Sequence, residues 1–355
     1  MTISRIGFVL CSSAAQPIPS TRVAVINMLP FLQAAGMRPC ILFAPPCPNE
    51  TPDLAGIASQ AVAAGCQVVV LQKVHGPSAL ALGRELASFG IRTVYVACDW
   101  INTPMVEATN ATVVVTDYLR SLCPSMLLSR VNVVHDGIER PEACKNDWGT
   151  GTPADSNRPL RAVLVTSTNL DKLPVLGKPP AGINIRIIGR YSRGLQRLRE
   201  IRWTLAKQQT NDRLNYLRFL ANQAIKCVPW DSDGVYREMR EADIGVIPIE
   251  TPLPEVGVAV PPAWMLKSEN RLTLKMSMGL PVIATPIPSY EPVITHGVNG
   301  FFARSTRDWE TCFSELRDPD RRREMGLAAR ASVAKIYSME EQASKLVAVL
   351  QKSGI

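Results

Sequence analysis

Short, almost uninterrupted apolar runs recur along the first 140 residues and predict buried β-strands. Runs rich in valine, isoleucine and leucine occupy residues 5–11, 38–44, 66–72, 92–98, 111–116 and 131–137. Strands without polar alternation are buried on both faces, as in parallel sheets covered by helices. The intervening segments have helical spacing, and two of them end on glycine, a helix C-cap signal. This alternation predicts an open, doubly wound parallel sheet.

The apolar periodicity disappears and then resumes, which predicts a second domain of the same class. Residues 141–158 gather Pro, Gly, Asp and Asn and are typical of a linker. Strand-like runs follow at residues 161–167, 183–189, 224–230, 242–249, 280–285 and 300–303. Ser338 with Glu341 three residues later forms a capping box and predicts a terminal helix. The predicted division is therefore 1–140, a linker at 141–158, a second domain at 159–337, and a helix at 338–355 that packs back toward the first domain.

Length and composition agree with two cytoplasmic α/β domains. The chain has 355 residues, of which 46% are hydrophobic and 20% charged, and no apolar run approaches the roughly 18 residues of a membrane span. The apolar part of the first segment is too short for a secretory signal and is typical of a first strand. Nine cysteines without a C-x-x-C pair argue against a zinc site and a disulfide framework.

The net charge of +8 is concentrated in one stretch, residues 183–226. This stretch contains ten basic residues and two acidic residues, Glu200 and Asp212, which gives a local excess charge of +8. An anionic partner is one interpretation of this stretch, and a solvated helical face is the other.

The pentad Lys267-Ser268-Glu269-Asn270-Arg271 lies where a helix is predicted to begin. Ser268 or Asn270 is suited to cap that helix, which continues to Gly279. A helix N-terminus offers unpaired N–H groups, and two cations beside it favour a diphosphate. A capped surface helix with flanking cations is the alternative interpretation.

The sequence around this pentad resembles a known enzyme family. "VPWDSDGVYREMREADIGVIPIE", "KSENRLTLKMSMGLPVIATPIPSY" and "DWETCFSELRDPDRRREMG" occur in the order found in retaining "group 1" glycosyltransferases of the GT-B fold. The resemblance spans about 120 residues, from Val228 to Val347. It implies two Rossmann-like, doubly wound domains facing across a cleft, with residues 1–140 on the acceptor side and 159–337 binding the nucleotide sugar. The family implies no cofactor, because the nucleotide-diphosphate sugar is itself the substrate, and no metal, because side chains and helix dipoles neutralise the leaving diphosphate.

The N-terminal half is similar in a weaker way to family members that act on bacterial surface polysaccharides. "IPSTR", "VVVLQK", "VYVACDW" and "VNVVHDGIERP" carry this similarity. The resemblance places residues 20–22 on the acceptor or phosphate side, and Asp99 as the catalytic carboxylate, where many members have a histidine–acid pair. A helix-capping role for Asp99 in the "CDWINTP" turn is the alternative. Lys73 and His75 follow the third strand and point toward the cleft. The predicted residues of this half are Ser20, Thr21, Arg22, Lys73, His75 and Asp99.

In the second half, the resemblance implies that Lys267 and Arg271 hold the diphosphate. Two glutamates usual in the family are replaced by Leu266 and Leu274, which leaves Glu269 to reach the ribose or the sugar. Besides this glutamate, the other predicted donor-binding residues are Ser268, Asn270, Arg190 and Trp230. Trp230 is expected to flank the nucleobase, although a core position is the alternative, and Arg190 belongs either to the donor site or to the basic surface. Neither His135 nor His296 is assigned a role.

Together these patterns predict a metal-independent retaining glycosyltransferase that uses a nucleotide-diphosphate sugar and acts on a glycan or a lipid-linked glycan. The basic stretch 183–226 is expected to contact an anionic acceptor or the inner face of a membrane. Three alternatives stay open: an enzyme that glucosylates DNA bases, a sugar-nucleotide 2-epimerase, and a non-catalytic protein that binds nucleotide sugars or nucleic acid. No P-loop or G-x-G-x-x-G motif supports nucleotide hydrolysis or redox chemistry.

Overall fold

The computed structural model describes residues 5–149, 158–253 and 260–354, which form two α/β units. The first unit comprises Met1–Glu139, Leu266–Glu269 and Ile336–Ile355, and the second comprises Arg140–Met265 and Asn270–Lys335. Residues 150–157 of the predicted linker, and residue 355 of the predicted terminal helix, lie outside the described residues.

The first unit contains a six-stranded parallel sheet in the order β2-β1-β3-β4-β5-β6. Its strands are β1 Arg5–Val9, β2 Arg38–Phe43, β3 Val68–Gln72, β4 Arg92–Ala97, β5 Ala111–Val114 and β6 Val131–Val133. Each strand lies within one predicted apolar run and is one to four residues shorter. Every residue of β3 is buried, as its four consecutive apolar residues predict for a central strand, and the burial includes the final Gln72.

Six α-helices connect the strands of this sheet. They are α1 Pro19–Ala24, α2 Leu29–Ala34, α3 Ile57–Ala63, α4 Pro77–Ser88, α5 Thr103–Ala108 and α6 Asp117–Ser121, with short 3-10 helices at Ile26–Met28 and Ser125–Arg130. Asn102 and Thr116 cap α5 and α6 through their side chains, which satisfies N–H groups that the first helical turn leaves free.

The second unit also contains a six-stranded parallel sheet, in the order β12-β11-β10-β7-β8-β9. Its strands are β7 Leu160–Val165, β8 Ile183–Gly189, β9 Ile225–Pro229, β10 Ile244–Ile247, β11 Val282–Ala284 and β12 Phe301–Phe302. Its helices are α7 Gly194–Lys207, α8 Thr210–Ala221, α9 Gly234–Glu241, α10 Asn270–Ser277, α11 Thr306–Glu315 and α12 Pro319–Ala334. The predicted alternation of strands and helices is therefore confirmed in both halves.

The last helix, α13 Met339–Gly354, contributes buried side chains to the core of the first unit. Ser338 precedes it, and its hydroxyl accepts a hydrogen bond from the N–H of Glu341, as the capping box predicts. No helix among the described residues is long and apolar enough to cross a membrane.

The short segment Leu266–Glu269 corrects the predicted domain division, which placed it in the second domain. Leu266 belongs to the hydrophobic core of the first unit. The hydroxyl of Ser268 donates a hydrogen bond to Oδ2 of Asp136, also in the first unit, at 2.7 Å. These contacts join residues about 130 positions apart in sequence, and local patterning does not reveal them.

Candidate functional site

Strand order locates the switch point of each sheet, where ligands bind in doubly wound folds. Crossovers change direction between β1 and β3 in the first sheet and between β7 and β10 in the second. Ligands in such sheets bind outside the carboxyl ends of the strands at this point. The side chains that follow these four strands are therefore the candidate site of each unit.

In the second unit, the carboxyl end of β7 lies beside the first turn of α10. Ser167 follows β7, and its Oγ accepts a hydrogen bond from a terminal nitrogen of Arg271 at 3.2 Å. Arg271 is the second residue of α10. The predicted cation thus lies at the switch point, next to the positive end of a helix dipole.

Arg190 and Trp230 lie at the same carboxyl edge, immediately after β8 and β9. Both side chains are exposed, and the backbone N–H of Trp230 donates to the carbonyl of Gly189 at 2.8 Å. This hydrogen bond continues the pairing of the two strands by one residue. The exposed indole removes the alternative that Trp230 is a core residue.

The charges of this edge are only partly balanced by acidic side chains. Lys172 pairs with Glu250 at 2.8 Å, and Arg193 lies 3.7 Å from Asp231. Neither Arg190 nor Arg271 has an acidic partner among the described residues. Two arginines at the switch-point edge are therefore available for an anion.

The helix that carries Arg271 begins within the predicted pentad. α10 starts at Asn270, whereas the hydroxyl of Ser268 is bonded to Asp136 and is not a cap. Glu269 precedes the helix and is buried in the first unit, so it does not lie in the first turn. Lys267, in the same segment, also belongs to the first unit, and its side chain is half-buried.

Lys275 is a buried cation in α10 that the sequence analysis missed. Its Nζ donates to the carbonyl of Arg271 at 3.1 Å, and burial together with the charge of Arg271 lowers its pKa to about 7. Its aliphatic chain packs on β10, where a Cβ at Gly245 would come within 2.8 Å of Cδ of Lys275. The glycine thus makes room for a lysine where an amphipathic pattern suggests an exposed side chain.

The switch point of the first unit contains Lys73, held between two carboxylates. Its Nζ lies 2.7 Å from Oε1 of Glu50 and 2.8 Å from Oδ2 of Asp99. Burial acts to lower the pKa of Lys73, but Asp99 and Glu50 outweigh it and raise this pKa above its ordinary value. The φ angle of Lys73 is 58°, a left-handed conformation that costs a side chain about 1 kcal/mol or more and is common at functional sites.

His75 and an exposed tryptophan extend this cluster. The imidazole of His75 lies 3.8 Å from Glu50 and packs edge-on against Trp100, with ring centroids 5.4 Å apart. The structure therefore brings together the predicted Lys73, His75 and Asp99, and adds Glu50 and Trp100, which sequence reasoning missed.

The predicted triplet Ser20, Thr21 and Arg22 divides into three environments. Thr21 is fully buried, and its hydroxyl donates to Gln72 at 3.0 Å and accepts from Ser12 at 2.8 Å. This corrects the prediction that Thr21 faces a ligand, since the hydroxyl instead fixes the loop after β1 to the end of β3. Arg22 forms a two-point ion pair with a carboxylate, at 2.8 and 3.0 Å, and Ser20 is half-buried.

That carboxylate belongs to Glu139, which also accepts a hydrogen bond from Asn27 at 2.7 Å. The positive charge of Arg22 is therefore matched within the unit. The first edge thus differs from the second, because both of its predicted cations already have acidic partners.

A second buried polar cluster lies after β6 and contains a histidine to which the sequence analysis gave no role. Nδ1 of His135 lies 2.6 Å from Oε1 of Glu269 and 3.1 Å from the carbonyl of Val115. Neither oxygen of Glu269 has a well-oriented hydrogen-bond donor among the described residues, and the contact with His135 is an ion pair when the imidazole is protonated. Burial acts to lower the pKa of His135, but Glu269 outweighs it and raises this pKa.

Asp136 completes this cluster. Burial and the negative charge of Glu269 raise the pKa of Asp136 to about 7, although the Ser268 hydroxyl opposes the change. The cluster joins residues from two distant parts of the chain, and "VNVVHDG" alone gives no signal for it.

Comparisons with known proteins support the fold. No family model matches the chain, and no curated protein sequence matches it. Among solved structures, the chain is similar to a glycosyltransferase from Rickettsia africae ESF-5, with 14% identity, a TM-score of 0.67, and coverage of 99% of this chain and 98% of that chain. It is also similar to Anabaena Alr3699/HepE in complex with UDP and glucose, with 11% identity, a TM-score of 0.64, and coverage of 98% and 99%.

A sucrose-phosphate synthase from Thermosynechococcus elongatus has 12% identity and a TM-score of 0.67, with 98% of each chain covered. The fold of this protein is the two-domain α/β fold of GT-B glycosyltransferases, as predicted. At identities of 11–14%, this similarity concerns the fold alone.

Proposed function

We propose that this protein is a retaining glycosyltransferase that moves a sugar from a nucleoside diphosphate sugar to an acceptor hydroxyl. The observation that carries the proposal is the pair of arginines at the carboxyl edge of the second sheet. Arg190 and Arg271 have no acidic partner among the described residues, and Arg271 lies in the first turn of α10 beside Ser167. A fold shared with solved glycosyltransferases supports the same assignment.

This arrangement suits a diphosphate leaving group. Arginine forms short, charge-assisted hydrogen bonds to phosphate oxygens, and the first-turn N–H groups of α10 add a favourable dipole. In the reaction, the acceptor oxygen bonds to the anomeric carbon, whose bond to the diphosphate breaks with the electron pair leaving on the phosphate. The acceptor proton passes to an oxygen of the departing diphosphate. Stabilising the developing charge on the phosphate lowers the barrier without a metal.

The donor is oriented by the other groups of the second edge in this proposal. The exposed indole of Trp230 provides a flat face for the nucleobase. Ser167 holds the guanidinium of Arg271 in place for the phosphates. Lys267 remains a proposed contact to the diphosphate. The Anabaena structure contains UDP and glucose, so uridine diphosphate is the first nucleotide to test.

We assign the acceptor to the edge of the first sheet, because its charges are balanced. Glu50 and Asp99 retain oxygens that can accept hydrogen bonds from sugar hydroxyls, while Lys73 neutralises them. Trp100 and His75 provide an aromatic wall of the kind that packs on sugar rings. A neutral, hydroxyl-rich acceptor such as a glycan or a lipid-linked glycan fits this edge.

A donor-turnover assay tests the proposal. The purified full chain is incubated with UDP-sugars and GDP-sugars, with and without glycan acceptors, and both nucleotide and sugar products are analysed. We expect slow release of the nucleoside diphosphate alone and faster release with a suitable acceptor. The variant Arg271→Ala should lose most of this activity, whereas Arg323→Ala, an exposed arginine on α12, should keep it.

The stereochemistry of the product tests retention. Nuclear magnetic resonance of the new glycoside should show the anomeric configuration of the donor. An inverted product would contradict the retaining mechanism. A donor that is bound but unchanged, or whose sugar is epimerised at C2, would overturn the transferase assignment.

A further inference from the structure

Helices α7 and α8 present an outer surface with many large apolar side chains, which we name the α7–α8 face. Its apolar members are Leu195, Leu198 and Trp203 on α7 and Leu214 and Leu217 on α8, with exposed fractions of 76%, 61%, 61%, 48% and 48%. Scattered apolar side chains are ordinary on protein surfaces, but five exposed ones on two consecutive helices need an explanation.

The inner faces of the two helices account for a different set of apolar residues. Ile201 and Leu205 of α7 pack against the core of the second unit, and Tyr216 and Phe219 of α8 are buried in it. The helices are therefore anchored without the five exposed side chains. A surface helix usually carries polar residues on its outer face, so these leucines and the tryptophan depart from the usual pattern.

The same face is strongly basic. Residues 194–221 contain six arginines and lysines against Glu200 and Asp212, a net charge of +4. Glu200 is already engaged by Ser192 and by Arg197, which leaves Asp212 as the other acidic residue of the two helices. Arg199, Arg202, Arg213 and Arg218 are exposed among the apolar side chains.

A cation also stacks on the most prominent ring of the face. Nζ of Lys207 lies 3.6 Å from the centre of the Trp203 ring. This cation–π contact holds a positive charge beside an exposed aromatic side chain. Tryptophan beside lysine or arginine is the combination that favours the interface between lipid headgroups and acyl chains.

We infer that the α7–α8 face binds the surface of an anionic lipid bilayer. The leucines and Trp203 enter the boundary between headgroups and acyl chains, and the arginines remain at the level of the lipid phosphates. The helices lie along the bilayer and do not cross it. A nucleic acid backbone would use the cations but would leave the exposed leucines in water, so the mixed composition favours a bilayer.

This inference goes beyond the transfer reaction and does not depend on it. Binding to a bilayer would bring the protein to the surface that carries lipid-linked acceptors. It requires no nucleotide, no sugar and no turnover, so its failure would leave the proposed donor site unaffected.

The test is sedimentation of the full chain with lipid vesicles. Vesicles of phosphatidylcholine are compared with vesicles of phosphatidylcholine mixed with anionic phosphatidylglycerol, at low and high salt. Two double variants remove the proposed contacts, Leu198→Ser with Trp203→Ser, and Arg199→Glu with Arg202→Glu. The matched control is Leu327→Ser, an exposed leucine on the arginine-rich α12, with 45% of its surface accessible.

We expect binding to the anionic vesicles that weakens with salt, and weak binding to phosphatidylcholine alone. Each double variant should lower the partition coefficient by about tenfold or more, while the control stays within about twofold. Nitroxide-labelled lipids should quench part of the wild-type tryptophan fluorescence, and Trp203→Phe should remove that part. Thermal unfolding confirms that the variants are folded, since every changed side chain is exposed.

Three results would overturn the inference. The first is absence of binding to anionic vesicles. The second is binding that both double variants retain. The third is that the double variants leave vesicle binding unchanged but abolish a dimer or a complex with duplex DNA. Loss of the dimer would assign the face to a second copy of the chain, and loss of the DNA complex would assign it to nucleic acid.

Discussion

The two sheets share a parallel, six-stranded, doubly wound design, yet their carboxyl edges differ in how charge is balanced. At the first edge, Lys73 contacts two carboxylates and Arg22 forms a two-point pair with Glu139. At the second edge, Arg190 and Arg271 have no acidic partner within the described residues. The number of cations therefore does not locate an anion site, whereas unmatched cations at the carboxyl edge beside a switch point do.

The largest expected effect concerns donor binding. Replacing Arg190 and Arg271 together with alanine should weaken binding of a nucleoside diphosphate by about 3 kcal/mol, or roughly a hundredfold. Lys73→Met should change it by about twofold or less, because the charge of Lys73 is already neutralised. Isothermal titration calorimetry measures both effects. Equal losses in the two variants would remove the proposed distinction between the edges.

The second prediction concerns Lys275, the buried cation of the second unit. Burial and Arg271 lower its pKa from 10.5 to about 7, so above pH 7 the unfolded chain binds a proton that the folded chain has lost. The free energy of unfolding should therefore rise between about pH 7 and pH 10.5, by on the order of 3 kcal/mol. Urea unfolding of Lys275→Met should lack this rise and show greater stability at pH 6.

Lys178→Met is the matched control for this prediction, because Lys178 is an exposed lysine of the same unit. It should unfold with the pH dependence of the wild type. The idea would fail if Lys275→Met kept the full rise with pH.

The third prediction has the opposite sign and concerns the first unit. Burial and Glu269 raise the pKa of Asp136 from 3.8 to about 7, so between these values the folded chain keeps a proton that the unfolded chain has lost. This group should lower the free energy of unfolding as the pH rises from about 4 to 7. Asp136→Asn should remove that fall and gain about 2 kcal/mol at pH 8.

Asparagine keeps an oxygen that can accept the hydrogen bond from Ser268, so Asp136→Asn removes the ionisation with little change in shape. Glu85→Gln, an exposed acid in α4, is the control and should leave the pH dependence unchanged. If Asp136→Asn were less stable than the wild type at pH 8, the ionised carboxylate of Asp136 would be shown to stabilise the folded protein.

The smallest expected effect separates structural from ligand-facing residues at the first edge. Thr21→Val should destabilise the protein by about 1–2 kcal/mol, because it removes the buried hydrogen bonds to Gln72 and Ser12. Ser20→Ala should stay within about 0.5 kcal/mol. Thermal unfolding of the two variants measures the difference. Similar stability of Thr21→Val and the wild type would show that the hydroxyl is dispensable for folding.

The sequence pattern predicted the fold well, for a physical reason. Strands buried on both faces need continuous apolar runs, and each of the twelve runs overlaps one observed strand. Most runs exceed their strands by a few residues because apolar side chains at strand ends also contribute to the core. Leu10, for example, follows β1 and is fully buried.

The candidate site was less predictable because its contacts join distant parts of the chain. The ion pairs of Lys73 and the contact between His135 and Glu269 cross 23 or more positions of sequence. Of the two predicted caps of α10, Ser268 instead donates a hydrogen bond to Asp136, a contact that local sequence does not reveal. Burial of Lys275 depends on the space left by Gly245 in a neighbouring strand.

The most direct test of the central claim is a crystal structure of the chain with bound uridine diphosphate. We expect phosphate oxygens within hydrogen-bonding distance of Arg271 and Arg190 and of the first-turn N–H groups of α10. A diphosphate bound instead at Lys73, with both arginines in contact with solvent alone, would contradict it.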